Sequence, residues 1–192
     1  MAQPTLNGLR VAILATDGFE QSELLEPKKA LEALGADTEV VSLKQGDIRG
    51  WNHQEWGEKV AVDQLVGAAD PSDYDALVLP GGVMNPDTLR MQPQAVKFVS
   101  AFFAAHKPVA AICHGPWTIL ETGRAKGYRM TSWPSLKTDI TNAGGDWVDQ
   151  EVVVDDNLVT SRKPADLPAF NREMIALFCR HQARRDNHIS AA

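Results

Sequence analysis

The chain has 192 residues, 44% of them hydrophobic and 23% charged, with a formal net charge of −6 at pH 7. That length suits one well-buried core, expected to span residues 1–192 as a single domain, and the acidic balance argues against a broad nucleic-acid surface. No apolar run reaches bilayer-spanning length, and the N-terminus lacks the charged-then-apolar pattern of a signal peptide. The expectation is therefore a cytoplasmic protein with no membrane segment.

Leu9 to Ala15 is an almost continuous apolar run of strand length, the pattern of a parallel strand covered on both faces. Thr16, Asp17 and Gly18 make a turn. Glu20 to Leu34 then carries helical spacing through Leu24, Leu31 and Leu34, with Gly35 placed as a left-handed cap. Pro27 inside that span predicts an irregular first turn or a kink. Asp37 to Leu43 is the second strand. From Lys44 to Gly67 the pattern weakens to short edge strands, around Ile48 and over Lys59 to Asp63, flanking a loop that holds Trp51 and Trp56. Ala76 to Pro80 is another buried strand, ending in Gly81-Gly82.

A helix follows over Gln94 to His106, with Val96, Val99, Phe102 and Phe103 inward. Pro108 to Ile112 is the next strand and runs into Cys113-His114-Gly115-Pro116, where a helix begins that ends near Gly123. A short strand near Tyr128, a helix over Ser135 to Ala143, and a hairpin turning at Asp156-Asn157 come next. Pro164 to about Arg184 closes the chain as a helix with Leu167, Phe170, Met174, Leu177 and Phe178 in its stripe. Its basic tail (Arg180, His181, Arg184, Arg185) reads as a solvated helix end. The alternation of strand and helix predicts a doubly wound, mostly parallel α/β sheet with helices on both faces.

In such sheets, sites form beyond the carboxyl ends of the strands. Three of those ends are equipped: Asp17 to Glu23, Gly81-Gly82, and Cys113-His114-Gly115. Cys113 sits where an apolar strand turns into a helix, an arrangement like a nucleophile elbow, with small neighbours allowing a tight turn. Backbone N–H groups at the helix start favour a thiolate there. A buried core thiol is the competing reading of Cys113, and the glycine-flanked turn favours reactivity over it. Cys179, beside Phe178 in the last helix, reads as an inert packing thiol.

His114 is either a base positioned by an acid or a polar residue pointing away. Gly81-Gly82 lets backbone approach a ligand and aim amides at an oxyanion, although Gly-Gly also marks ordinary turns. Glu20 and Glu26 need no more than helix electrostatics to explain them, whereas Glu23 matters if it faces Cys113. His53, His106, His181 and His188 read as surface residues. No His, Cys and acid cluster has metal-ligand spacing and no phosphate-binding glycine loop is present, so neither metal nor other cofactor is expected.

Three segments carry a resemblance: Asp17 to Pro27, Ala76 to Gly82, and Lys107 to Pro116 are similar to the ThiJ/PfpI superfamily. Thr131 to Pro134, Asn142 to Val148 and Ser161 to Leu167 resemble its PfpI branch of intracellular proteases, so the likeness runs from Leu9 to about Phe178. It implies a flavodoxin-like sandwich related to class I glutamine amidotransferases. It implies that Cys113 is the nucleophile, Glu23 the carboxyl that lowers its pKa, and His114 the triad histidine. Asp87, reaching from a neighbouring subunit, would be the triad acid, although the family usually has Glu and a loop one residue shorter. Gly82 and the His114 amide would hold an oxyanion, with Gly81 and Gly115 shaping the site.

The implied activities are peptide hydrolysis, or glyoxalase or deglycase action on small carbonyl adducts, in a homodimer or hexamer serving stress protection. The alternative is a non-enzymatic oxidation sensor or chaperone working through Cys113. A glutamine amidotransferase subunit ranks last, because no His-x-Glu follows Cys113.

Overall fold

A computed structural model describes residues 5–190, with side chains as far as Arg185. His188 lies outside the described side chains. The central sheet has seven strands: β1 Arg10–Leu14, β3 Asp37–Ser42, β6 Gln64–Leu65, β7 Ala76–Leu79, β8 Val109–Ile112, β11 Val152–Asp155 and β12 Leu158–Ser161. Their order is β11-β12-β8-β7-β1-β3-β6, and every neighbouring pair is parallel except the β11–β12 hairpin. This is the doubly wound, mostly parallel sheet expected from the alternation of elements, and the flavodoxin-like sandwich that the resemblance implies.

Period-two alternation explains the two cores. Along β1, Val11 and Ile13 pack with Leu24 and Leu31 of α1 (Gln21–Glu32) and with Phe170, Met174 and Phe178 of α6 (Leu167–Ser190). Ala12 and Leu14 point the other way, into a cluster with Phe98, Val99 and Phe102 of α3 (Pro93–Ala104) and Ile119 of α4 (Pro116–Glu121). Cutting a fully buried Phe102 or Phe178 to alanine would cost roughly 3–5 kcal/mol.

Local expectations fare unevenly. Helix α1 runs through Pro27, which has no N–H to donate to the Glu23 carbonyl, and it ends in a Schellman motif. Gly35, at φ +90°, donates to Glu32, and Ala36 donates to Leu31. The weak region is corrected. Trp51 and Trp56 are not in a loop but face each other across a hairpin, β4 (Asp47–Asn52) with β5 (Glu55–Ala61). That hairpin forms a separate three-stranded sheet with β2 (Phe19–Glu20). Residues read as a loop after Gly82 form a helix, α2 (Met84–Arg90). On α3 the inward residues include Ala95 and Phe98, whereas Val96 is only half-buried. The basic tail is less solvated than expected, since Arg185 is paired with Asp75 and His181 is half-buried. No described helix is long and apolar enough to cross a membrane.

The sheet order reverses between β1 and β7, because the chain moves from β1 to β3 on one side and through β7 and β8 on the other. A crevice therefore opens beyond the carboxyl ends of these strands. The segments following β1, β7 and β8 meet there.

Candidate active site

Cys113 follows β8 with φ +62°, a left-handed conformation strained for any residue with a Cβ. The turn is fixed on both sides. Cys113 N–H donates to the Ser161 carbonyl (3.1 Å), Trp133 N–H donates to the Cys113 carbonyl (2.9 Å), and Gly115 N–H donates to Ile112 (2.9 Å). Gly115 is required by contact, since a Cβ there would lie 2.4 Å from the Leu79 carbonyl oxygen. The following helix, α4, has only six residues, so its macrodipole is slight and individual amides matter more. The backbone N–H groups of Gly82 and His114 lie near the Cys113 thiol and favour its charged form.

Glu23 reaches the same point from the first turn of α1. Its carboxyl is fully buried, contacts the thiol, and accepts Gly81 N–H at Oε2 (2.9 Å). Oε1 is buried with no hydrogen-bond partner and is free to carry a proton. Gly81 is wedged between the two groups, where a Cβ would sit 2.5 Å from both Cys113 Cβ and Glu23 Oε2. Gly82, at φ +77°, presses on the Gly18 carbonyl oxygen, which a Cβ would approach to 2.3 Å. Asn85 holds this loop from behind. Its side chain accepts from Thr16 N–H (2.7 Å) and donates to the carbonyls of Pro80 (3.0 Å) and Gly81 (3.1 Å).

The electrostatics revise one expectation. Burial, and then the charge of Glu20, push the Glu23 carboxyl up to about 8. Burial and the charge of Glu23 also push the Cys113 thiol up, against the two amides that oppose this. As an anion Glu23 opposes the thiolate, and only its protonated carboxyl can favour one. The two groups form one acid pair, in which the charge left by the first proton lost opposes loss of the second. A thiolate exists here when Glu23 keeps its proton.

His114 does face the cysteine, with Nδ1 3.2 Å from Sγ. Its ring stacks on Trp133 (5.8 Å between centroids, 23°) and meets Trp117 obliquely (5.0 Å, 60°). Nε2 lies 3.4 Å from Ser135 Oγ, and burial lowers the imidazole to about 4, so the ring is neutral at pH 7. Asp87 is not brought to this cluster. It is exposed on α2, and its carboxylate makes no hydrogen bond or ion pair among the described residues.

Cys179 is half-buried against the core around α6, as its apolar neighbours imply. No metal-ligand cluster exists among the described residues. Asn85, Ser135 and the stacking role of Trp133 were not singled out from sequence. Trp133 belonged to a quoted motif, but its stacking on His114 depends on contact between segments twenty residues apart.

Comparison with known proteins gives the family and the fold. The DJ-1/PfpI family model matches residues 9–177. A Pyrococcus abyssi protein named deglycase PYRAB04690 is 45% identical over 169 residues, covering 88% of this chain and 99% of its own. YraA of Bacillus subtilis, whose name marks it as a candidate cysteine protease, is 44% identical over 168 residues, covering 88% and 97%. General stress protein 18 of the same species is 42% identical over 172 residues, covering 88% and 98%. Among solved structures, an Anabaena variabilis protein with DJ-1/ThiJ/PfpI-like and ferritin-like domains superposes with a TM-score of 0.83 at 34% identity. The match covers 88% of this chain and 47% of that one. Schizosaccharomyces pombe DJ-1 shares the fold, with a TM-score of 0.77 at 20% identity, covering 92% of this chain and 98% of its own.

Proposed function

The chain belongs to the DJ-1/PfpI family, and from that premise we propose that it is a cysteine-dependent hydrolase acting on small carbonyl adducts of amines, or on peptides. One observation carries this reading: a strained thiol is set against a buried carboxyl and a neutral imidazole. Relatives named as deglycases and as a candidate cysteine protease support these two substrate classes, and one named as a stress protein supports a protective role.

The Cys113 thiolate adds to the carbonyl carbon, forming a C–S bond as the C=O electron pair moves onto oxygen. The Gly82 and His114 N–H groups, already aimed at Sγ, are the nearest donors to that oxygen. Collapse of the adduct of an amide restores C=O and breaks the C–N bond, the departing amine taking the proton carried by Glu23. Water then attacks the thioester. Its hydroxyl becomes part of the released acid, its proton returns to Glu23, and the thiolate is regenerated. With an aldehyde or ketone the first step gives a thiohemiacetal instead.

Around the crevice Val83, Met84 and Trp133 stay exposed, an apolar rim that supports association of chains over this mouth. Light scattering across a concentration series reads that association. A rival reading takes the same thiol as an oxidation sensor, since only 6% of Cys113 is exposed and small peroxides reach it more readily than a peptide backbone. The deciding experiment is Cys113→Ala assayed on a 2-oxoaldehyde, its amine adducts and a fluorogenic peptide. Loss of turnover with the fold intact is expected, and turnover equal to wild type ends the proposal. If wild type turns over none of them while mild peroxide converts Cys113 to a sulfinic acid, the sensor reading replaces it.

A further inference from the structure

We propose that Asn85 is a positioning residue for the chemistry at Cys113, holding two successive peptide planes of the Gly81-Gly82 loop so that their N–H groups face the site. This rests on the reading of Cys113 as the nucleophile and names what aims the donors around it. Asn85 stands in the first turn of α2 and is fully buried. Its carboxamide joins two strand ends. Beyond β1, Oδ1 accepts from Thr16 N–H (2.7 Å); beyond β7, Nδ2 donates to the carbonyls of Pro80 (3.0 Å) and Gly81 (3.1 Å).

The partners fix every direction. All three are backbone groups, and an N–H only donates while a carbonyl only accepts. Both N–H bonds of Nδ2 are used. The carboxamide cannot turn over without setting its oxygen against two carbonyls and its nitrogen against an N–H. Leu89, one turn later on the same face and buried in the apolar core, keeps α2 in place.

Peptide geometry carries the consequence to the site. In a trans peptide the C=O and the N–H that follows it point in opposite directions, and no described peptide is cis. Holding the Pro80 carbonyl therefore turns Gly81 N–H the other way, where it donates to Glu23 Oε2 (2.9 Å). Holding the Gly81 carbonyl likewise turns Gly82 N–H toward the Cys113 thiol, whose charged form it favours. One nitrogen thus aims two donors, one at each member of the acid pair.

The loop needs such a clamp because it is made of glycine. Turning the Gly81–Gly82 peptide over changes only ψ of Gly81 and φ of Gly82, and glycine tolerates both outcomes. The inverted plane would set the Gly81 carbonyl oxygen against the sulfur, opposing a negative charge instead of solvating it. A larger residue would restrict that rotation, but neither position has room for a Cβ, so orientation is left to hydrogen bonds. Glu20 N–H also reaches the Gly81 carbonyl, at 3.3 Å, and Asn85 supplies the shorter bond there.

The test compares wild type with Asn85→Ala by iodoacetamide alkylation of Cys113 at pH 8 and by crystallography, with urea unfolding to establish that the variant is folded. Alkylation follows the thiolate population. Asn85→Ala is expected to slow it about tenfold, the loss of one hydrogen bond to a charged group, with the Gly81–Gly82 plane inverted or split between two orientations. A merely structural role predicts the opposite sign, because a loosened fold would expose a thiol that is now buried and speed the reaction. An equal or faster rate in the folded variant, or a Gly81–Gly82 plane unchanged from wild type, overturns the proposal. Should Asn85→Ala fail to fold, a crystal structure of wild type decides. Gly82 N–H facing Sγ with the carboxamide on both carbonyls supports the proposal, and Gly82 N–H turned away, or the carboxamide off the carbonyls, overturns it. A wild type that turns over no carbonyl substrate sinks the hydrolase reading and leaves these measurements standing.

Discussion

The two ends of the parallel sheet treat ionisable groups differently, half-buried and paired at one end and fully buried without a cation at the other. At the amino ends of the strands, Glu39 accepts from Tyr74 Oη (2.6 Å) and from Arg10 Nη2 (2.7 Å). Lys107 Nζ is capped by the carbonyls of Pro71 and Tyr74, and Asp75 accepts Arg10 N–H (2.9 Å) while pairing with Arg185. The Tyr74 hydroxyl and the Arg10 guanidinium hold Glu39 below the usual carboxylate range. At the carboxyl ends Glu23 has no cation, and the same kind of side chain is pushed up to about 8. Satisfied charge builds structure. Unsatisfied charge, kept dry, is chemistry in waiting.

Removing the proposed nucleophile is the bluntest way to sharpen this contrast. Cys113→Ala should cut turnover by about 10³-fold or more while the thermal midpoint stays within a few degrees. Gly81→Ala comes next. Its Cβ would strike both Cys113 Cβ and Glu23 Oε2, so Cys113 alkylation should be nearly lost and unfolding should need about 2–4 kcal/mol less in urea titration.

Glu23→Gln separates charge from shape. The folded chain keeps a proton on Glu23 that the unfolded chain surrenders near its ordinary value of 4.5. Wild-type stability is therefore full below about pH 4.5 and declines as pH rises toward about 8, by a few kcal/mol at roughly 1.4 kcal/mol per pKa unit. Urea unfolding at pH 5 and pH 8.5 should show most of that decline abolished in Glu23→Gln. Cys113 alkylation at pH 7 should fall about tenfold, because a carboxyl O–H is a stronger donor to sulfur than an amide. An unchanged pH slope would mean that Glu23 is not the neutral partner described.

The smallest effect is expected at the opposite end. Tyr74→Phe removes one donor from Glu39 but leaves Arg10 in place, so about 1 kcal/mol of stability is lost and Cys113 alkylation is unaltered. Altered alkylation in that variant would mean the two ends are coupled, breaking the comparison.

Legibility in the sequence followed the range of the interactions involved. The strands around Leu9–Ala15, Ala76–Pro80 and Pro108–Ile112 declared themselves by apolar runs, and the elbow at Cys113 by its glycine neighbour. The hairpin holding Trp51 and Trp56 did not, since β5 is mostly exposed and one of the two inward positions of β4 is Gly50, which gives no apolar signal. Helix α2 hid behind Met84-Asn-Pro-Asp87, a turn-like composition whose buried Asn85 and Leu89 make sense only against the rest of the fold.

The sequence by itself determined the layered α/β architecture and which strand ends carry reactive groups, because periodicity and turn chemistry are local properties of the chain. Only the tertiary structure decided the state of those groups. It set Glu23 against the thiol without a cation, turned His114 Nδ1 toward Sγ, brought Ser135 to Nε2, and left Asp87 outside. Proton affinity depends on which atoms surround a group in space, and segments distant along the chain supply those atoms.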